Sequence, residues 1–252
     1  MIKLFRNIRQ NLFMENLSAE QAGKTSKYFK YAIGEIVLVV IGILIALQIN
    51  NWNEHQKIRA YEITMLKEVS VALETDLALL DRNIPYLENA LKSFCKLGIM
   101  KNDVTISQDS LHFHIEIIHE YGFLLNLNTS PYEAIKSGGI DKISNLSIRN
   151  QLSKLYGDKI PFAQTWINEI FRAELFNKME LISTLFYVKA VTLNGRITNE
   201  TIIENPNIIY NNKDFDKLLL TSWPLSQTIM RLKSIRDEML DLKENIVQEI
   251  KR

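Results

Sequence analysis

From Ala32 to Ile49 the chain is aliphatic on every face, interrupted only by Glu35 and Gln48. As a helix, the stretch from Tyr31 to Trp52 measures about 31 Å, the thickness of a bilayer's hydrocarbon core. Core helices of soluble domains keep a polar stripe, so an apolar surface on all sides predicts a transmembrane span over residues 32–52. Tyr28 and Tyr31 ahead of it and Trp52 behind it stand where interfacial aromatic belts form. The lead is long and no small-x-small cleavage site follows, so the run reads as a signal anchor.

Beyond the span the spacing changes. Ile58, Tyr61, Met65, Val69, Leu73, Leu77, Leu80, Ile84, Leu87, Leu91 and Phe94 recur in steps of three and four, the period of one helix face. Pro85 falls inside this run and predicts a kink or a restart near Asn83. After a loop at Gly98–Asp103, an amphipathic helix is expected from about Ser107 to Tyr121. Ser130, Pro131 and Glu133 spell a capping box, and Gly138 and Gly139 close that helix. A further helix covers about Ser147 to Tyr156 and stops at Gly157. A long one runs from about Pro161 to Ala190, with Trp166, Ile170, Phe171, Leu175, Met179, Ile182 and Phe186 inward. Residues 193–212 read as irregular. After Trp223 and Pro224, a last helix carries Leu225, Ile229, Leu232, Ile235, Met239, Leu242, Ile246 and Ile250, expected antiparallel to the first.

Charge changes this picture by giving it a direction. Residues 1–31 hold six basic side chains against two acidic ones, whereas residues 50–252 hold 24 against 26. The positive-inside rule puts the leader in the cytoplasm and residues 53–252 outside it. Ile2, Phe5, Ile8 and Leu12, with Arg6 and Arg9 between them, make either an interfacial helix on an anionic leaflet or a frayed basic tail. A folded domain with no excess of positive charge excludes nucleic acid as a partner. Cys95 is the sole cysteine, so no internal disulfide forms.

Catalytic motifs are nearly absent. Gly23-Lys24-Thr25 resembles the end of a phosphate-binding loop, but position 18 is Ser18 rather than the glycine such a loop needs. His112, Glu116 and His119 share one face of the Ser107–Tyr121 helix, with Asp109 and Glu120 nearby. That face is the weak candidate for a divalent metal, against its simpler reading as a polar face opposite Leu111, Ile115 and Ile118. Glu35 lies about one turn inside the span, where it either snorkels to the cytoplasmic headgroups or joins a helix–helix contact built on Gly34, Leu38, Gly42 and Ala46.

The stretch "YAIGEIVLVVIGILIALQINNWNE" behind the basic leader "MIKLFRNIRQNL" resembles the signature of a family of uncharacterised single-pass membrane proteins common in Bacteroidota, domain of unknown function 6090. Ser130 to Tyr156 is similar to a second block shared in that family. "SAEQAGKTS" departs from the shorter leaders typical there. The resemblance implies a bacterial envelope location and brings no activity with it.

Together these readings predict an all-α chain: a basic cytoplasmic leader (1–31), one transmembrane helix (32–52) and an elongated extracytoplasmic helical bundle (53–252). The expected role is a non-enzymatic interaction, scaffold or sensor module in the inner membrane, without cofactors. Its expected partners are the bilayer, a second copy through the span, and an envelope protein. The alternatives are a metal-dependent enzyme on His112, Glu116 and His119, and an ion-coupled assembly through Glu35.

Overall fold

The computed structural model describes residues 22–102 and 107–252, with backbone alone for residues 22–27, 30 and 31. Residues 1–21 of the leader, including the Ile2, Phe5, Ile8, Leu12 face, lie outside the described residues. Of those described, 81% are helical, so the all-helical expectation fits, with one β-hairpin added. Residues up to Arg59 form one compact unit and Ala60–Arg252 another.

The first element, α1, covers Ala22–Met100. Gly23, Lys24 and Thr25 lie inside it, so they form helix and no phosphate-binding loop. Among the described residues it is the one helix long and apolar enough to cross a membrane; its best window has a mean hydropathy of 2.6 and none of it is buried. Within the second unit α1 turns a single stripe inward, with Leu66, Val69, Leu73, Leu77, Leu80, Ile84, Leu87, Phe94 and Leu97 buried. Pro85 neither ends nor restarts the helix. Leu80, Ile84 and Leu87 on both sides of it are held in one core. Burying each such side chain is worth about 1.5–3 kcal/mol, enough to offset the lost backbone bond.

Helix α2 (Gln108–Glu120) leads to α3 (Ser130–Gly138). Ser130 does not cap α3. It is the first residue of the helix, Thr129 precedes it without a side-chain cap, and the Ser130 N–H donates to Asn128 Oδ1 at 3.2 Å. Pro131 does sit in the first turn. Gly139 takes a φ of 106°, a region closed to most side chains. A Cβ at Gly138 would collide with the Tyr61 hydroxyl of α1.

This part of the chain is bound to the rest by buried carboxylates. Glu62 accepts from Ser144 N–H and Oγ–H at 2.7 and 2.8 Å. Asp76 accepts from Asn128 N–H at 3.1 Å. Asn145 caps α4 (Leu146–Lys154) and donates its Nδ2 to Glu249 at 2.9 Å. Tyr132 stacks on Tyr156 at 5.2 Å between ring centres. The Ser130–Tyr156 block therefore works as the clamp joining α3 and α4 to the first and last helices of the domain.

The chain does not stop at Gly157. From α4 it passes through a π turn (Leu155–Lys159) into α5 (Ile160–Thr165), then a second π turn (Trp166–Phe171) into α6 (Arg172–Leu185). Each π turn winds an extra residue into the helix and shifts the phase of the buried stripe. That is why Ile167, Phe171, Lys178, Ile182 and Leu185 point inward, while Ile170 and Met179 are exposed. Where helix was expected up to Ala190, β1 (Tyr187–Leu193) instead pairs antiparallel with β2 (Arg196–Ile202). Asn194 and Gly195 make the turn with φ of 50° and 76°, the geometry of a primed hairpin turn.

Short α7 (Lys213–Leu220) precedes α8 (Ser222–Ile250). Its stripe from Leu225 to Ile246 is buried as the period predicts. Lys233 pairs with Glu88, Arg236 with Asp81 and Lys243 with Glu74, at 2.5, 2.5 and 2.9 Å. Rising numbers on α8 meet falling numbers on α1, so the two helices are antiparallel as expected.

Candidate functional site

Helix α2 presents two faces. Ser107 Oγ caps its start by accepting from Ser110 N–H at 3.2 Å. Leu111, Ile115 and Ile118 enter the core, which leaves Gln108, His112, Glu116 and His119 along the other side. The structure brings the three proposed metal ligands together, but on a protein group. All three reach Thr201 of β2, whose side chain and backbone are fully buried. Thr201 N–H donates to Glu116 Oε1 at 2.8 Å, and its carbonyl accepts from His112 Nε2 at 2.8 Å. His119 Nδ1 lies 3.1 Å from Thr201 Oγ1. Gln108 Nε2 extends the row by donating to the carbonyl of Ile203 at 3.0 Å.

Four side chains one or two turns apart thus supply what a third strand's backbone would supply to the edge of β2. The Val188–Thr201 pairing turns the backbone groups of Thr201 away from β1, toward α2. Burial holds His119 below the usual imidazole range, with Lys178 acting in the same direction and Glu116 and Glu120 against it. Among the described residues no group of three or more His, Cys, Asp or Glu side chains is arranged to hold a metal ion.

Beside this contact opens a cleft of about 560 Å³ between residues 119–124, α6 and β2. Its least expected member is Lys178, which is 1% exposed. The second π turn rotates this lysine into the buried stripe between Phe171 and Ile182. Lys178 Nζ donates to the carbonyls of His119 and Tyr121 at 3.2 and 3.1 Å, closing the C-terminal end of α2. It also lies 3.8 Å from the centre of the Tyr121 ring. Burial pushes its pKa down to about 7. A neutral amine keeps two N–H donors, which matches the two carbonyls. Burial also raises the Tyr121 phenol well above its ordinary range.

Arg172, one residue past the π turn, stands at the cleft with its guanidinium 6.0 Å from the Phe176 ring centre. Among the described residues neither Arg172 nor Lys178 has a carboxylate within ion-pair distance. Leu124, Phe176, Met179 and Ile197 leave large apolar surfaces exposed at the mouth. None of these residues was read from the sequence as a site residue, and Met179 was expected to face inward. The available sign was a lysine at a core position, four residues before Ile182 and seven after Phe171.

The proposed contact residues Gly34, Glu35, Leu38, Gly42 and Ala46 all lie exposed on α1. A Cβ added at Gly34 or Gly42 meets nothing within 4 Å.

The fold defines a helical-domain protein whose first helix carries one membrane-length apolar stretch. The chain belongs to the family of unknown function DUF6090, whose pattern it matches over residues 35–219. That match includes both the apolar run from Glu35 onward and the clamp block. No curated protein and no solved structure matches the chain.

Proposed function

We propose that this is a single-pass membrane protein whose N-terminal leader is cytoplasmic and whose residues 53–252 form a non-enzymatic binding or sensing domain outside the cytoplasm. In a bacterial host the membrane is the inner one, and the span acts as a signal anchor. The observation that carries the reading is the bare apolar stretch of α1, none of which is covered among the described residues. The twelve Ile, Val and Leu side chains between Ala32 and Ile49, left in water, would cost more than a folded domain's net stability, at about 25 cal/mol per Å². Orientation follows from the six basic residues of the leader. The binding role rests on the cleft beside Lys178 and its exposed apolar mouth.

Reporter fusions after Arg252 test this. A reporter active only outside the cytoplasm should be active there, and one active only in the cytoplasm should be silent. The reverse pattern overturns the topology. The commitment of His112, Glu116 and His119 to Thr201 favours the binding role over the metal-enzyme alternative.

A further inference from the structure

We propose that the cleft bounded by Tyr121, Leu124, Arg172, Phe176, Lys178 and Ile197 binds a single-chain amphiphile with an anionic headgroup. The inference names a ligand for the binding domain proposed above and rests on that role. It does not depend on which side of the membrane the domain occupies.

Size and lining set the class of ligand. The cleft's volume of about 560 Å³ falls within the range of small-molecule sites, which combine apolar walls with a few placed polar groups. Phe176 and Ile197 are 62% and 81% exposed and Leu124 73%, surface that an alkyl chain laid between α6 and β2 would cover.

Charge sets the headgroup. Arg172 and Lys178 line the cleft against one carboxylate, Glu120, and the imidazole of His119. Arg172 is exposed and makes its contact with the Phe176 ring, with no acid paired to it among the described residues, so its forked donors can face an oxyanion. Lys178 is fixed from behind by two carbonyls, which holds its amine in place. An anion at Arg172 favours the charged form of Lys178 and relieves the cost of its burial. An uncharged or cationic amphiphile gains neither effect. Carboxylate and phosphate monoester headgroups share the needed chemistry.

The test uses the full chain in nanodiscs and a dodecanoic acid carrying a diazirine on its alkyl chain. After photolysis, adducts are mapped by peptide mass spectrometry. Adducts are expected on the segments holding Leu124 and Phe176–Met179, competed by dodecanoate or by dodecyl phosphate and not by dodecanol. Whichever anion competes better identifies the headgroup. Arg172→Gln, at an exposed position, should lower this labelling about tenfold, the value of one charge-assisted hydrogen bond. Adducts confined to residues 32–52 would show partition into the bilayer only and overturn the site. Labelling unchanged by Arg172→Gln, or competed equally by dodecanol, would overturn the headgroup assignment. The topology reporters read separately, so failure of the site leaves them unaffected and failure of the topology leaves the labelling interpretable.

Discussion

Residues 32–52 and the polar face of α2 are the two stretches where side chains stand in unusual company, and they behave in opposite ways. In the first, the environment is uniform on all sides, so each residue's meaning is contained in its own chemistry. The run from Ala32 to Ile49, interrupted only by Glu35 and Gln48, has the length and composition that lipid would select, without reference to any other part of the chain. In the second, His112, Glu116 and His119 carry metal-ligand chemistry at helical spacing, yet their partner is Thr201, more than 80 residues away. A row of ligand-type residues states that polar partners are needed. It does not say whether they are a metal ion or the edge of a strand.

The largest effect that sharpens this contrast concerns the span. Ile41→Lys together with Ile45→Lys places two charges near its centre, at about 2.5–3.5 kcal/mol each. The chain should leave the alkali-resistant membrane fraction. Retention there would mean that the run is covered by protein and not by lipid.

On the α2 side, Glu116→Leu leaves the Thr201 N–H buried without an acceptor and should lower stability by about 1–3 kcal/mol. Glu116→Gln keeps an acceptor oxygen and should cost less. Chelator should leave the melting temperature unchanged, because a structural metal would contribute folding free energy. A drop with chelator, restored by zinc, would return the three residues to a metal site.

Lys178 gives a pH signature. Its native pKa is lowered to about 7 from 10.5, so between those values the unfolded chain holds a proton that the native state has released. Stability should therefore rise with pH from about 7 to 9, at up to about 1.4 kcal/mol per unit. Tyr121 and Tyr156, both raised, act only as pH passes the ordinary phenol value of 10. Lys178→Met should flatten this slope. An unchanged slope would mean that the amine stays charged in the fold.

The smallest effect concerns the proposed self-association of the span. Gly42→Ile should weaken self-association more than Glu35→Gln does, and Val40→Ile should leave it unchanged. Polar contacts in membranes are worth about 0.6–2 kcal/mol, so close packing at the glycines dominates. Equal association for Gly42→Ile and the native chain would leave Glu35 as a snorkelling residue.

Much of the helical skeleton is legible because burial there is regular. The α8 stripe from Leu225 to Ile246 keeps one period and one face. The middle of the chain is legible only in part, since two π turns shift the phase after Lys154 and after Thr165, and no propensity marks them. The hairpin is a different case. Asn194-Gly195 between Val191-Thr192-Leu193 and Arg196-Ile197-Thr198 is a recognised hairpin signature, and its short strands give a weaker pattern than the long helices on either side. Lys178 illustrates a non-local limit. Its two acceptors lie 59 and 57 residues back, and its place in the core depends on the π turn that precedes it.

The central claim, a single span with the helical domain outside the cytoplasm, has a probe built into the chain. Cys95 is the only cysteine and is exposed. A membrane-impermeant maleimide applied to intact cells should label it, with no further gain after lysis and none at all in Cys95→Ser. Labelling that appears only after the cytoplasmic membrane is broken would contradict the account.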